Sequence, residues 1–149
     1  MYKRQKVLDL NLKAPFFVTR AFLPLLEKAA SHEDPARVIN IGSIAGLQPS
    51  AARTYSYSTS KAAVHQLTRN LSKELAPRHI TVNAVAPGPF ESKMMAATLA
   101  AAGDEMAKRV PLGRIGRPDD MAGIAVFLSS RAGSYLTGTI IPVDGGIAT

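Results

Sequence analysis

The chain has 149 residues, enough for one domain with a hydrophobic core, and its 46% hydrophobic and 19% charged residues are typical of a soluble globular protein. It contains no cysteine, which excludes disulfide bonds and cysteine-ligated metal sites. We expect a reducing compartment, the cytoplasm, and no bound metal ion. The basic, then apolar start is interrupted by Asp9, Asn11 and Lys13, which argues against a signal peptide, and no apolar run approaches the ~18 residues of a membrane span.

The net charge of +7 is the kind of balance that nucleic-acid-binding proteins carry. The lysines and arginines are nevertheless scattered along the chain, and they do not alternate with aromatic residues. We therefore interpret the charge as a solvated surface, such as that of an incomplete protein with a more acidic missing part, and expect no nucleic-acid partner. A site for an anionic ligand is an intermediate interpretation.

Apolar spacing and turn residues predict alternating helices and strands. Pro15 and Pro24 strain the first predicted helix, and Pro77 ends the second. In chain order, we predict a helix over 6–26, a polar connection over 32–37, a strand over 37–43, a loop over 44–54, a helix over 55–76, a strand over 79–88, a weakly patterned stretch over 89–118, a helix over 118–130 and a strand over 138–146.

Strand, helix and strand in this order, with strands apolar on both faces, predict βαβ units in a parallel sheet. Ligands of such sheets collect at the carboxyl ends of the strands. Here those ends carry Ser43, the pair Pro87–Gly88, and the run 143–146, so we expect these polar residues to share one rim.

Two residues on the second helix have spacing suited to acid–base chemistry. Tyr57 and Lys61 are four residues apart and lie on one helix face, whereas Tyr55 points roughly 200° away from Tyr57. Moving a phenol from its ordinary pKa of about 10 to about 7 takes about 4 kcal/mol. A lysine ammonium about 4 Å away supplies up to about 4 kcal/mol at an effective dielectric of ~20. On its own, this spacing also fits a half-buried tyrosine beside a surface lysine.

Ser43 strengthens the catalytic interpretation, because a serine at a strand end can donate a hydrogen bond to an oxygen held by the tyrosine. Alone, it equally fits a turn or cap serine. The joint pattern of RVINIGS, YSYSTSK, NAVAPG and VDGG, over about Lys6 to Ala148, resembles the short-chain dehydrogenase/reductase family. Within that family, the chain is most similar to 3-oxoacyl-[acyl-carrier-protein] reductases, a group that includes rhamnolipid-linked reductases.

The resemblance implies a role for four residues in the interconversion of a carbonyl and an alcohol. Tyr57 corresponds to the catalytic acid/base, and Lys61 to the lysine that assists it and hydrogen-bonds the nicotinamide ribose. Ser43 corresponds to the serine that holds the substrate oxygen. Asn11 corresponds to the asparagine that keeps a water chain to the lysine, and a structural asparagine is the alternative for this position.

The resemblance also implies contacts to cofactor and substrate further along the chain. It assigns the segment that holds the nicotinamide carboxamide to Pro87, Gly88, Phe90 and Ser92. It places a substrate loop over 90–115, where Met94, Met95 and Leu99 either line an apolar acyl pocket or pack within a helix.

Three other polar residues are expected to act in the fold itself. We expect Asn83 and Asp144 to bond strand ends and turns, and His65 to lie at a helix-packing or dimer face.

The chain also departs from the family pattern. It has no Thr-Gly-x-x-x-Gly-x-Gly turn, the feature that brings backbone close to the cofactor pyrophosphate at a helix N-terminus. We therefore predict an α/β fold that is the carboxyl-terminal part of a Rossmann-type doubly wound parallel sheet, lacking its first strands. Residues 1–5 are expected to be a non-family start, and residues 6–149 a single partial domain.

Two main hypotheses about function remain open, and nucleic-acid binding through the +7 charge is a remote third. In the first, the chain is part of an oxidoreductase that uses NADP or NAD, with NADP preferred, on a small carbonyl, alcohol or acyl thioester. In the second, it is an inactive half-domain that acts as an interaction subunit. The resemblance implies a homodimer or homotetramer through the helices 7–26 and 55–76.

Overall fold

A computed structural model describes residues 2–49, 54–93 and 95–148, with side chains from Arg4 onward. The predicted loop over 44–54 lies partly outside these residues, and Met94 lies wholly outside them. The helices are Tyr2–Leu8 (α1), Ala14–Ala29 (α2), Tyr55–Leu75 (α3), Ala96–Lys108 (α4) and Pro118–Ser129 (α5), and the strands are Ala36–Ile41 (β1), Ile80–Pro87 (β2) and Ile140–Val143 (β3). Short 3-10 turns follow β1, α3 and α5, at Ile44–Gly46, Ala76–Arg78 and Arg131–Gly133.

The first helical region is longer than predicted, running from Tyr2 to Ala29 with a π-helical segment, Asp9–Lys13, between α1 and α2. The π-helical segment ends two residues before Pro15, which is the second residue of α2. A proline ring clashes with the carbonyl four residues earlier and offers no N–H to it. Ala14 instead donates to the carbonyl of Asp9, five residues back, so the helix accommodates Pro15 without ending.

The strands form a parallel sheet in the order β1-β2-β3, which confirms the α/β class and the predicted parallel arrangement. Ile41 pairs with Val85, and Pro87 pairs with Val143, so the carboxyl ends of all three strands meet at one edge. The chain segments that follow these ends carry the candidate site residues, as expected for this topology.

The core lies between α3 and the sheet. β2 is the central strand and is buried along almost its whole length. Leu71 and Leu75 of α3 pack against Ile80 and Val82 of β2, and Leu26 of α2 packs at the margin of this cluster. Burial of such side chains contributes roughly 1.5–3 kcal/mol each, which holds α3 against the sheet.

β1 forms one edge of the described sheet, and Ile41 at its end is 57% exposed. The neighbouring helix α2 also exposes apolar side chains, namely Phe16, Phe17, Val18, Phe22 and Leu25. This side of the molecule is therefore an apolar surface, continuous with a strand edge that has no backbone partner among the described residues.

Candidate active site

The face of α3 that points toward the strand ends carries Tyr57 and Lys61. Lys61 Nζ lies 5.7 Å from the centroid of the Tyr57 ring, within the range of a cation–π contact. Tyr57 is half-buried, whereas Tyr55 is 74% exposed. The helix geometry thus pairs the lysine with the second tyrosine of the YSY run, as its spacing predicts.

Lys61 is a buried cation. The residue is 8% exposed, and its Nζ donates a hydrogen bond to the Ile41 carbonyl at 2.8 Å. Burial lowers the pKa of the Lys61 ammonium, because the low-dielectric surroundings disfavour its charge. No carboxylate of residues 2–49, 54–93 or 95–148 lies within ion-pair distance of this nitrogen.

Ser43 lies just beyond β1 and begins the 3-10 turn at Ile44–Gly46. Its backbone is extended and the residue is 7% exposed. The Ala45 N–H donates to Ser43 Oγ at 3.2 Å, which occupies an acceptor position of the hydroxyl and leaves its proton free to donate elsewhere. The turn packs directly on α3, because a Cβ added at Gly46 would lie 2.6 Å from the Lys61 carbonyl carbon.

Asn11 lies in the π-helical segment and is connected to α3 through a residue that our sequence analysis missed. Its Nδ2 donates to Ser60 Oγ at 3.0 Å, and Ser60 Oγ donates to the Tyr57 carbonyl at 2.7 Å. Asn11 and Lys61 also line a common cavity of about 400 Å³ beside β1. Ser60 is adjacent to Lys61 in the YSYSTSK run, but its contact with the first helix is visible only in the folded chain.

The segment after β2 is held against β3. The Gly88 N–H donates to the Val143 carbonyl at 3.0 Å, and a Cβ at Gly88 would lie 2.7 Å from the Asp144 Cβ. The Phe90 ring packs on Gly116, and Ser92 is exposed. Pro87 thus leads into a segment whose path is fixed by close backbone contact with the end of β3.

Of the two methionines assigned to substrate binding, only Met95 lies among the described residues. Met95 is partly buried at the entry to α4, and its N–H donates to the Ser92 carbonyl at 3.0 Å. The structure does not describe Met94, so its assignment stays a prediction. The weakly patterned stretch contains α4, in which Ala102 has non-helical backbone angles.

A larger cavity of about 600 Å³ lies at the carboxyl end of β3, where Phe90 and Leu112 line it together with Arg114. Arg114 is bound by Asp120 through two hydrogen bonds of 2.6 and 2.8 Å. These bonds, with one from the Arg117 N–H, hold the pKa of the Asp120 carboxyl well below its usual range. The Arg114 charge at this cavity is therefore paired with that of Asp120.

Asn83 and Asp144 have structural partners of the kind we expected. Asn83 donates to the Leu136 carbonyl at 2.8 Å, and Asp144 accepts from the Gly146 and Ala148 N–H groups at 2.9 and 2.8 Å. Within the described part of the chain, no three His, Asp or Glu side chains are grouped so that they could hold a metal ion. None of the described helices is both long enough and apolar enough to span a bilayer.

Comparison with known proteins gives matches over nearly the whole chain. The family model described as enoyl-(acyl carrier protein) reductase matches residues 2–148. The rhamnolipids biosynthesis 3-oxoacyl-[acyl-carrier-protein] reductase of Pseudomonas aeruginosa is 48% identical over 147 residues, which are 95% of this chain and 56% of that protein. The 3-oxoacyl-[acyl-carrier-protein] reductase of Thermotoga maritima is 38% identical over 141 residues, 95% of this chain and 55% of that protein.

Solved structures agree in fold. The active-site complex of Pseudomonas aeruginosa RhlG with NADP superposes with a TM-score of 0.95 at 46% identity, covering 100% of this chain and 59% of that one. A Burkholderia cenocepacia gluconate 5-dehydrogenase in complex with NADP and tartrate gives 0.88 at 31% identity, covering 97% and 56%. The chain therefore spans a little over half the length of the relatives it matches. On this combined likeness of sequence and fold, the chain belongs to the short-chain dehydrogenase/reductase family.

Proposed function

We propose that this chain carries the acid–base site of an oxidoreductase that interconverts a carbonyl and an alcohol with NADP(H), acting on a 3-oxoacyl thioester or a related small carbonyl compound. The observation that carries the proposal is the pairing of Tyr57 with the buried Lys61, on a helix face against which the Ser43 turn packs. The 3-oxoacyl reductases among the relatives and the NADP complexes among the structures support the substrate class and the preference for NADP.

In the proposed reaction, Tyr57 handles the proton of the substrate oxygen. As hydride adds to the carbonyl carbon, the oxygen takes the proton of the Tyr57 hydroxyl and leaves a phenolate beside Lys61. At 5.7 Å and an effective dielectric of about 20, the attraction between the ammonium and a negative charge centred on the ring is about 3 kcal/mol. Ser43 donates its free hydroxyl proton to the same substrate oxygen, which stabilises the charge that develops there.

The residues of this chain suit the nicotinamide end of the cofactor. Lys61 offers ammonium donors at the 400 Å³ cavity that it shares with Asn11, and in this proposal it binds the ribose hydroxyls. The segment from Pro87 to Phe90, with the Ser92 hydroxyl, holds the carboxamide. When bound, the cofactor supplies or accepts hydride at its nicotinamide ring. The sequence has no glycine-rich turn, so we assign no residue of this chain to the cofactor phosphates.

The role of Asn11 is proposed as support for the helix that carries the acid–base pair. Its amide reaches Ser60, whose hydroxyl donates to the Tyr57 carbonyl, so Asn11 links the π-helical segment to the first turns of α3. The water chain from Asn11 to Lys61 stays a prediction, and the shared cavity provides space for it.

A second candidate function is that of an interaction subunit. The edge of β1, which has no strand partner among the described residues, and the exposed Ile41 favour it, because an apolar strand edge is a surface on which another chain can add a strand. The helices 7–26 and 55–76 are proposed as a homodimer or homotetramer interface, supported by the exposed apolar side chains of α2, such as Phe17 and Phe22. A monomer in sedimentation analysis, unchanged by Phe22→Asp, would contradict that interface.

Two experiments separate these functions. In the first, the amino-terminal part of the Pseudomonas aeruginosa reductase is joined ahead of Lys6, and the fusion is assayed with NADPH and a 3-oxoacyl thioester. We expect reduction of the thioester, and a folded fusion that binds NADPH without turnover would contradict the acid–base assignment. In the second, the chain alone is tested for stable association with that amino-terminal part, which is expected for an interaction subunit. Location in the cytoplasm and the absence of a nucleic-acid partner stay predictions.

A further inference from the structure

His65 lies two turns after Tyr57 on α3 and is not part of the acid–base group described above. We expected it at a helix-packing or dimer face; the residue is 2% exposed within its own chain, which fits a packing position and not a dimer face. Its ring fills a notch in the segment after β1. A Cβ at Gly42 would lie 2.1 Å from His65 Nε2, and one at Gly46 would lie 2.9 Å from Cε1. Gly42 and Gly46, one residue before and three residues after Ser43, have no side chains and therefore leave room for the imidazole.

The imidazole of His65 also accepts a hydrogen bond from the backbone N–H of Ser43, just beyond β1. At the end of β1, the Gly42 N–H still donates to the β2 carbonyl of Val85 at 2.7 Å. The next N–H, that of Ser43, lies 3.4 Å from His65 Nε2 and donates to this nitrogen. A nitrogen that accepts this bond carries no proton, so the ring proton lies on Nδ1, which has no hydrogen-bond partner among the described residues.

The surroundings keep the ring neutral, as an acceptor must be. Burial lowers the pKa of His65, and the positive charge of Arg69 and, less strongly, that of Lys61 act in the same direction. The backbone of Gly46 acts in the opposite direction on this pKa without reversing it.

From these contacts we propose that His65 is a positioning residue for Ser43. By accepting the Ser43 N–H and filling the notch between Gly42 and Gly46, it fixes the peptide from which the Ser43 hydroxyl projects. The consequence for turnover rests on the proposed function, because it assumes that Ser43 binds the substrate oxygen. The hydrogen bond itself does not depend on that assumption and can be measured on the chain as it is.

The first test is nuclear magnetic resonance of the 149-residue chain. Nitrogen-15 shifts of the ring should show a neutral imidazole with its proton on Nδ1, and a proton on Nε2 would overturn the proposal without any variant. In His65→Leu, which keeps the bulk but cannot accept, the Ser43 amide should exchange about 3- to 10-fold faster, the factor expected for one hydrogen bond. The Gly42 amide should change by less than about twofold, because its acceptor is backbone.

Further variants distinguish positioning from general loosening. His65→Gln places an amide oxygen near the position of Nε2 and should restore the slow exchange of Ser43, while Gln66→Leu, at an exposed neighbour, should leave it unchanged. Equal acceleration of Gly42 and Ser43 in His65→Leu, or no rescue by His65→Gln, would overturn the proposal.

The second test measures turnover in the fusion with the amino-terminal part of the Pseudomonas aeruginosa reductase. His65→Leu should lower kcat about 10- to 100-fold with little change in KM, the loss typical of a displaced positioning group. The same change in a Ser43→Ala background should have almost no further effect, and a full additional loss would overturn the proposed route through Ser43. A folded fusion without any activity refutes the proposed function, whereas the exchange and tautomer results still decide the placement of Ser43.

Discussion

Replacing Lys61 by methionine is expected to stabilise the folded chain although it removes the cation of the proposed acid–base site. Lys61 is 8% exposed, and burial lowers the pKa of its ammonium. The charged form is therefore less stable in the folded chain than in the unfolded one. Methionine has a similar length and carries no charge, so it fills the same space without this cost.

The size of the effect follows from two opposing contributions. The substitution removes a buried charge that has no carboxylate partner among the described residues, and it loses the 2.8 Å hydrogen bond to the Ile41 carbonyl. That bond contributes about 0.5–1.5 kcal/mol. The loss of this bond offsets part of the gain. We expect a net rise in the free energy of unfolding of about 0.5–2 kcal/mol at pH 7, the usual gain from a stabilising substitution.

The pH dependence provides an independent check. Because the folded pKa of Lys61 lies below 10.5, the unfolded chain binds more protons between the two pKa values, and the stability of the parent chain rises with pH through this window. The advantage of Lys61→Met is therefore full below the folded pKa of Lys61 and shrinks as the pH rises from there toward 10.5.

Urea denaturation at pH 7 and pH 10 measures both effects. Lys73→Met, at an exposed position of α3, is the control and should change stability by less than about 0.5 kcal/mol. A Lys61→Met variant that is less stable than the parent at pH 7, or whose advantage does not shrink with pH, would refute the reasoning.

Three further predictions concern stability and cofactor binding. Asp120→Asn should destabilise the start of α5 at pH 7. Because the pKa of the Asp120 carboxyl is lowered, this loss of stability should vanish as acid protonates Asp120 in the parent chain. Acid unfolding followed by circular dichroism measures the effect, with Asp119→Asn as the control. Gly42→Ala should cost about 1–3 kcal/mol in urea denaturation, because its Cβ would lie 2.1 Å from His65 Nε2, whereas Gly123→Ala, with nothing within 4 Å, should be neutral or stabilising. The chain alone should bind NADPH poorly because it lacks the glycine-rich turn, and calorimetry showing micromolar affinity would contradict this.

Much of the fold could be predicted because its central elements are strongly patterned. α3 has an apolar stripe and ends just before the segment of Pro77, and β2 is a continuous apolar run. β3 is shorter than predicted for a local reason. Gly138 and Gly145 have φ angles of 77° and 69°, so the chain leaves extended geometry on both sides of the strand.

Other features depend on contacts between distant segments, which spacing alone does not reveal. Tyr57 and Lys61 could be paired from helix periodicity, because both lie on one element. The link from Asn11 to Ser60 and the burial of His65 depend on how the first helix and the Ser43 turn pack on α3. Pro15 was a visible signal for the irregular helix, but its consequence, a π-helical segment around Asn11, required the structure.

The measurement that tests the central claim most directly is a comparison of two tyrosine variants in the fusion with the amino-terminal part of the Pseudomonas aeruginosa reductase. Tyr57→Phe and Tyr55→Phe each remove one hydroxyl from the same helix turn, but only Tyr57 lies beside Lys61. We predict that Tyr57→Phe lowers the rate of thioester reduction at least about 100-fold, as expected for the loss of a general acid, and that Tyr55→Phe changes it less than about twofold. Equal losses from the two substitutions, or no loss from Tyr57→Phe, would contradict the assignment of Tyr57 as the acid/base.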